Sequence, residues 1–292
     1  MHYYDVENGL VYRNSDEAKK VICEVYGVDY TKYASLDDAM DAVTGYNMEE
    51  AKKLVEKAYQ EALAAGDIEE GDIVSLEFGS SEITESLMRH INFLKGAWEE
   101  LFKGTSLEGK LEITTGAYSD AWSDDFQAGK YDIALAGWSG AAWDPGYLLM
   151  AYISDDYRYA QGWNPSKVEM TFTMKGVGED GADVTATYDL ITWWNCLNGM
   201  DGAPHDWSDT ALPQSLRLQL IAALEKEVLL TYYSVPVYYT FSASLLSYKV
   251  DYITYEYNTF MGYGGMKYMK YNFTDAAWAA EVAAQGGELD YK

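Results

Sequence analysis

Two kinds of hydrophobic spacing alternate along residues 72–137, and this alternation constrains the fold more than any other feature of the sequence. Apolar residues recur at every second position in Asp72–Phe78 and in Lys110–Thr115, as in a strand with one buried face. The segment 131–137, YDIALAG, is almost entirely apolar, which is typical of a buried strand. Stretches with helical spacing separate the three. The order strand, helix, strand, helix, strand predicts an α/β fold with a mixed, mostly parallel sheet flanked by helices.

The helices around these strands carry apolar stripes and end signals. For the helix before the first strand, Asn47 is a good N-cap, Glu50 stands at the capping-box position and Gly66 ends the element. The stripe of that helix is Met48, Ala51, Val55, Ala58 and Ala62. The stripe of the long helix between the first two strands is Ile83, Leu87, Ile91, Leu94, Trp98 and Leu101. A short helix around Trp122 stops at Gly129.

The chain changes character after Gly137. Residues 138–165 are aromatic and loop-like, and residues 167–188 alternate on both sides of GVGEDGAD, which predicts a hairpin. A helix over Leu212–Leu230 follows. Its predicted buried face is Leu216, Leu220, Leu224 and Val228. The segments 234–239 and 252–273 are expected to contain strands, and a short helix near Trp278 follows them.

The charge of the chain excludes several classes of function. Its 47 acidic and 21 basic residues leave a formal net charge of −26, which repels phosphate backbones and anionic lipid. A nucleic-acid or membrane-surface role is therefore not expected. Because 48% of the residues are hydrophobic, the chain has enough apolar surface to fold despite this charge.

No motif for a metal or a cofactor stands out. The three histidines are scattered, and Cys23 and Cys196 match no metal or redox spacing, although a disulfide between them stays open. There is no P-loop, dinucleotide glycine signature or nucleophile elbow. We therefore expect no metal and no cofactor. Carboxylates are plentiful, so a glycosidase pair among them also stays open.

Aromatic residues concentrate in the loops that follow predicted strands. Trp138 comes directly after YDIALAG, and ligands of open α/β sheets bind beyond the carboxyl ends of the strands. The other members of this group are Trp122, Trp143, Tyr147 and Trp163. They either line a cleft or pack in the core. Asp144-Pro145 is expected to start a short helix with Asp144 as the N-cap, and a ligand role for Asp144 is the second possibility.

Four segments occur in an order that resembles a known family. They are YNMEEAKKLVEKA, FQAGKYDIALAGW, WDPGYLL and SVPVYY. Across residues 45–272 they resemble the oligopeptide/dipeptide-binding family, the bacterial extracellular solute-binding proteins (family 5) of peptide-type ABC importers.

The resemblance implies a periplasmic-binding-protein-like lobe. Residues 1–45 would be its helical N-terminal part, 46–248 the ligand-binding α/β lobe, and 249–292 a segment returning to a missing N-terminal lobe. Family members are longer and begin with a secretion signal, often a lipoprotein one. The first residues here have neither a basic nor an apolar region of a signal peptide. We therefore expect a C-terminal part of an extracytoplasmic parent protein, periplasmic or lipid-anchored at the cell surface.

The resemblance also implies a non-enzymatic function. Family members capture a ligand between two lobes and deliver it to ABC permease subunits. In the family two tryptophans that match Trp122 and Trp138 border the cleft, and an Asp that pairs with the peptide amine is replaced here by Ala141. The expected ligand-binding residues are Trp122, Trp138, Ser139, Gly140, Ala141, Trp143, Asp144 and Tyr147.

Two alternatives to the peptide ligand stay open. Because Ala141 leaves a peptide amine without its carboxylate, an oligosaccharide ligand is the alternative within the family. A glycoside hydrolase that uses loop carboxylates is the alternative outside it. The role of residues 166–205, which include Trp193 and Trp194, is unassigned. Strands in 252–273 would lack partners from the first lobe, so they are expected to pair irregularly and to permit dimers through exposed edges.

Overall fold

The computed structural model describes residues 3–5, 7–117, 122–137, 144–154, 163–235, 248–251, 257–258, 262–263 and 269–287. The chain divides into two compact units, Met1–Val235 and Pro236–Lys292. The sequence predicts lobe boundaries after residues 45 and 248. These boundaries separate parts of different function, which the compact units do not test, so they stay a prediction.

The first unit begins with a short antiparallel pair, β1 (Tyr3–Asp5) and β2 (Leu10–Val11). Two helices follow, α1 (Asp16–Val25) and α2 (Leu36–Asp41). Each is capped by a serine, because Ser15 and Ser35 accept hydrogen bonds from backbone N–H groups of the first turn.

Helix α3 (Met48–Ala65) confirms the predicted end signals: Asn47 accepts a hydrogen bond from the Glu50 backbone N–H at 3.1 Å, and Gly66 is the C-cap. The predicted stripe is wrong at Ala58, which is exposed. The neighbouring Tyr59 is buried instead, and the Lys110 ammonium lies 5.5 Å from the centroid of its ring.

The central sheet has the predicted order of elements. Strand β3 (Val74–Ser80) is followed by α4 (Glu85–Phe102), β4 (Leu111–Ala117), α5 (Trp122–Gln127) and β5 (Ile133–Ala134). β3 pairs in parallel with both other strands, and the spatial order is β4-β3-β5. A small core of Phe78, Leu87 and Ile91 holds α4 against this sheet. The chain therefore has the predicted α/β fold with a parallel sheet flanked by helices.

The third strand is much shorter than predicted. Of the segment 131–137, only Ile133 and Ala134 form ladder pairs. Asp132 meets β3 through its side chain, whose Oδ2 accepts a hydrogen bond from the Glu77 N–H at 2.8 Å. Because a carboxylate binds that backbone group, the ladder begins only at the following residue.

The main core lies in the second half of the first unit. A turn of 3-10 helix over Tyr147–Leu149 leads into α6 (Met150–Ile153). The predicted hairpin is confirmed, with β6 (Glu169–Met174) antiparallel to β7 (Val184–Asp189). Helix α7 (Leu190–Asn198) follows and buries Trp193, Trp194 and Leu197. Residues 166–205, which had no role in the sequence analysis, therefore supply a large part of this core.

Helix α8 (Gln214–Leu230) is the centre of this core. The predicted face is partly right, because Leu220 and Leu224 are fully buried. Leu218 and Ile221 are also buried, so the helix has no single buried face. The physical reason is that α8 contacts several elements at once, namely α1, α7, β6 and β1.

A buried carboxyl links α8 to the N-terminal segment. The Tyr12 hydroxyl donates a hydrogen bond to Glu225 Oε2, and the two oxygens are 2.5 Å apart. Burial raises the pKa of Glu225 above its ordinary value, and the hydrogen bond from Tyr12 opposes that rise.

The raised pKa of Glu225 predicts a pH dependence of stability. Protonated Glu225 favours the folded state below the unfolded value near 4.5, and this contribution is lost as the pH rises through the folded pKa. A difference of one between the folded and unfolded pKa corresponds to about 1.4 kcal/mol. In urea unfolding between pH 4 and pH 8, Glu225→Gln is expected to become more stable relative to the native chain as the pH rises. Tyr12→Phe removes the opposing hydrogen bond and is expected to steepen the loss. A pH-independent difference for Glu225→Gln would contradict the argument.

The described residues of the second unit form short strand pairs and a helix. β8 (Val250–Asp251) pairs with β11 (Lys270–Tyr271), and β9 (Tyr257–Asn258) pairs with β10 (Gly262–Tyr263). The predicted helix near Trp278 is confirmed as α9 (Asp275–Ala284). The strand predicted over 234–239 lies mostly outside the described residues.

Candidate functional site

The order of the parallel strands defines the candidate site. The chain passes from β3 to β4 on one side, and then crosses to β5 on the other side of β3. This reversal is a topological switch point, and ligands of open α/β sheets bind outside the carboxyl ends of the strands at such a point. The strands end at Ser80, Ala117 and Ala134. The segments that leave these ends include the residues predicted to bind ligand.

The structure places some of the predicted ligand residues and leaves others undescribed. Trp122 is the first residue of α5, and its side chain lies outside the described atoms. Trp138, Ser139, Gly140, Ala141 and Trp143 also lie outside the described residues. Asp144 and Tyr147 are described, and both are half-buried. Trp163 is buried in the main core, so core packing is the right interpretation for that tryptophan.

Asp144 does not cap a helix as predicted. Its Oδ1 accepts a hydrogen bond from the Gly146 N–H at 2.9 Å, and its backbone carbonyl accepts one from Tyr147. The short helix starts only after this turn. The correction has a simple cause: an aspartate side chain can bond the backbone two residues on, and this local turn competes with a cap.

Tyr131 and Gly79 form a close contact at the β3–β5 edge that sequence analysis missed. A Cβ atom at Gly79 would lie 2.3–2.6 Å from three ring atoms of Tyr131, so the ring lies directly on the strand backbone. The hydroxyl of Tyr131 donates to Asp125 of α5 at 3.3 Å. Asp125 also accepts a hydrogen bond from Lys130, and this bond is the first cause that lowers the pKa of its carboxyl. The signal in the sequence was a glycine inside a strand, which often marks a close backbone approach.

This contact predicts that one methyl group added at Gly79 lowers the stability of the fold. Gly79→Ala is expected to displace the Tyr131 ring and to lower the free energy of unfolding by about 1–3 kcal/mol, because overpacking forces neighbours to move. Gly96 in α4 is the matched control, since a Cβ there meets nothing within 4 Å. Gly96→Ala is expected to stabilise the chain by up to about 1 kcal/mol through helix propensity. Equal effects of the two changes in urea unfolding would show that the close contact between Gly79 and Tyr131 does not limit the side chain at residue 79.

Arg217 of α8 is a second feature that the sequence did not reveal. Its side chain is only 3% exposed. It donates to the backbone carbonyls of Trp207 at 3.0 Å and Leu197 at 3.1 Å, and to the side chain of Gln214. Burial lowers the pKa of Arg217, whereas the negative charges of Asp144 and Asp209 raise it.

The described residues contain no grouping typical of a metal site. No three histidine, cysteine, aspartate or glutamate side chains gather there as metal ligands would. Cys23 and Cys196 are both buried free thiols, so the disulfide left open by the sequence is not formed. Within the same part of the chain, no helix combines the length and apolar character needed to cross a membrane.

Comparison with known proteins found a similar solved structure. No protein-family model and no curated protein matches the chain. A solved structure described as "Crystal structure of peptide ABC transporter, peptide-binding protein" is similar with a TM-score of 0.39 and 16% sequence identity, over 75% of this chain and 87% of that one.

Proposed function

We propose that this chain is part of an extracytoplasmic solute-binding protein that captures oligopeptides and delivers them to the permease of an ABC importer. The main support is the switch point of the sheet, because the segments that follow β4 and β5 contain Trp122 and Trp138, the two tryptophans at the family's cleft positions. The order of the four resembling segments along the chain adds support, and a hydrolase would leave that order unexplained.

The proposed mechanism is capture without chemical conversion. The loops after β4 and β5 form one wall of a cleft, and aromatic faces there stack on the ligand. A second lobe closes over the ligand by a hinge, and the closed form docks on the permease. Because one wall supplies only part of the contacts, this chain alone is expected to bind weakly.

The chemistry of Asp144 favours ligands without a free N-terminal amine. Its carboxylate already accepts the Gly146 N–H and lies in the field of Arg217. Ala141 offers no carboxylate in its place. An ammonium buried without a counter-ion costs several kcal/mol, so an internal or blocked peptide segment suits this wall better.

Calorimetry and saturation-transfer NMR test the proposal with three probes. They are tri- to pentapeptides with free amines, the same peptides N-acetylated, and a set of malto- and cello-oligosaccharides. We expect weak binding of peptides with no penalty for acetylation, and a loss of that binding in Trp138→Ala. Trp278→Ala in the second unit is the matched tryptophan control and is expected to bind normally.

Other outcomes would overturn the proposal in identifiable ways. Binding of oligosaccharides without peptides would establish the sugar-binding alternative. Turnover of a chromogenic glycoside that disappears in Asp144→Asn would establish an enzyme. Peptide binding at micromolar affinity or tighter would contradict the incomplete cleft, and binding of neither class would refute the function altogether.

A further inference from the structure

The turn that leads out of the candidate site rests directly on the main core. Gly146 is buried, and a Cβ atom there would lie 3.4 Å from Leu197 Cδ2 and 3.7 Å from Ile221 Cγ1. These two side chains belong to α7 and α8. The same Cβ would lie 3.4 Å from Asp144 Oδ1. The backbone at Gly146 is therefore confined between the side chain of Asp144 and the helices α7 and α8.

Arg217 connects the same elements through hydrogen bonds. One of its nitrogens binds the carbonyl of Leu197, the residue whose side chain faces Gly146. Another binds the carbonyl of Trp207, and the N–H of Trp207 returns to the carbonyl of Cys196 at 2.9 Å. A planar guanidinium has several donors in a fixed arrangement, so it holds these carbonyls in one geometry.

The charges of Asp144, Asp209 and Arg217 support the same connection between the turn and α8. Asp144 contributes the first of the two electrostatic effects that favour the charged form of Arg217, and Asp209 contributes the other. Because Asp144 Oδ1 also accepts the Gly146 N–H, the carboxylate that attracts the guanidinium is itself part of the turn.

We propose that Arg217 is a positioning residue of the candidate ligand site, which fixes the turn Asp144–Tyr147. This inference rests on the proposed function for the identity of the site. It also assigns a role to part of residues 166–205, because the side chain of Leu197 in α7 faces the turn and its carbonyl binds Arg217.

Hydrogen exchange measured by mass spectrometry tests the positioning role without a ligand. Peptides covering 144–149 report the bonded N–H groups of Gly146, Tyr147 and Leu149. In Arg217→Lys, which keeps the charge and loses the planar donors, these amides are expected to exchange about tenfold faster, while the β6–β7 ladder changes less than about twofold. Asp144→Asn is expected to speed the same amides. Lys226→Met is the matched control on α8, because Lys226 pairs with Glu24 and is expected to leave the turn unchanged.

The outcomes separate this inference from the proposed function. Equal acceleration in the turn and in the hairpin would show that Arg217 only stabilises the core, and it would overturn the positioning role. Unchanged exchange in the turn would overturn it as well. In the same variants, N-acetylated tetrapeptides are expected to bind several-fold more weakly to Arg217→Lys than to Lys226→Met. If the native chain binds no peptide, the proposed function fails, and the exchange data still decide whether Arg217 holds the turn.

Discussion

Replacing Trp193 by alanine is expected to lower the free energy of unfolding by about 3–5 kcal/mol, the largest effect of any single change that we predict. The side chain is fully buried, and its indole N–H donates to the Met170 carbonyl at 2.9 Å. The rings of Tyr188 and Trp207 lie at centroid distances of 5.0 and 5.8 Å from it. The substitution therefore creates a cavity among aromatic rings and leaves a buried carbonyl without its donor.

One further variant separates the loss of the hydrogen bond from the loss of the ring, and another serves as a surface control. Trp193→Phe keeps an aromatic ring and removes the donor, so it is expected to cost about 1–3 kcal/mol, between alanine and the native residue. Phe93→Ala is the surface control, because that ring is 75% exposed and its removal is expected to cost less than about 0.5 kcal/mol. Urea unfolding followed by far-ultraviolet circular dichroism measures all three, independently of tryptophan fluorescence. Similar losses for Trp193→Ala and Phe93→Ala would contradict a core centred on Trp193.

Local sequence signals predicted the elements whose determinants are local. The caps Asn47 and Gly66 act within one helix, and the hairpin around 176–183 depends on the turn between its own strands. The order of strands and helices likewise predicted the parallel sheet, because a crossover through a helix leaves few other arrangements.

The predictions that failed depended on contacts distant in sequence. The strand predicted over 131–137 begins only at Ile133 because the Asp132 side chain binds the backbone of Glu77, 55 residues earlier. Helix α8 is buried on several sides because elements from both ends of the unit pack around it, and a stripe analysis considers one helix alone. Asp144 is the exception with a local cause, because its side chain accepts a hydrogen bond from the Gly146 N–H two residues on and closes a turn instead of capping the helix.

The candidate site was predictable to the level of topology. The apolar segment before Trp138 indicated an edge where strands end, and the switch point lies at that edge. Arg217 gave no signal, because a single arginine in an apolar helix resembles a residue that reaches solvent. Its buried position depends on two backbone carbonyls, and a backbone carbonyl has no sequence signature.

Arg217→Met is the second change with a large expected effect, and two opposing contributions decide its sign. Methionine removes the cost of burying a charge, which by itself would stabilise the chain. It also leaves the carbonyls of Leu197 and Trp207 without their donors, at about 1–3 kcal/mol each. In addition, Asp144 and Asp209 lose the positive charge that they face. Because the burial cost of the native arginine is already offset by three hydrogen bonds, we expect a net loss of about 2–4 kcal/mol in urea unfolding.

Lys226→Met, which breaks a partly exposed ion pair, is expected to cost less than about 1 kcal/mol. A more stable Arg217→Met variant would show that burying the charge costs more than its hydrogen bonds return, and that the core tolerates free carbonyls at Leu197 and Trp207.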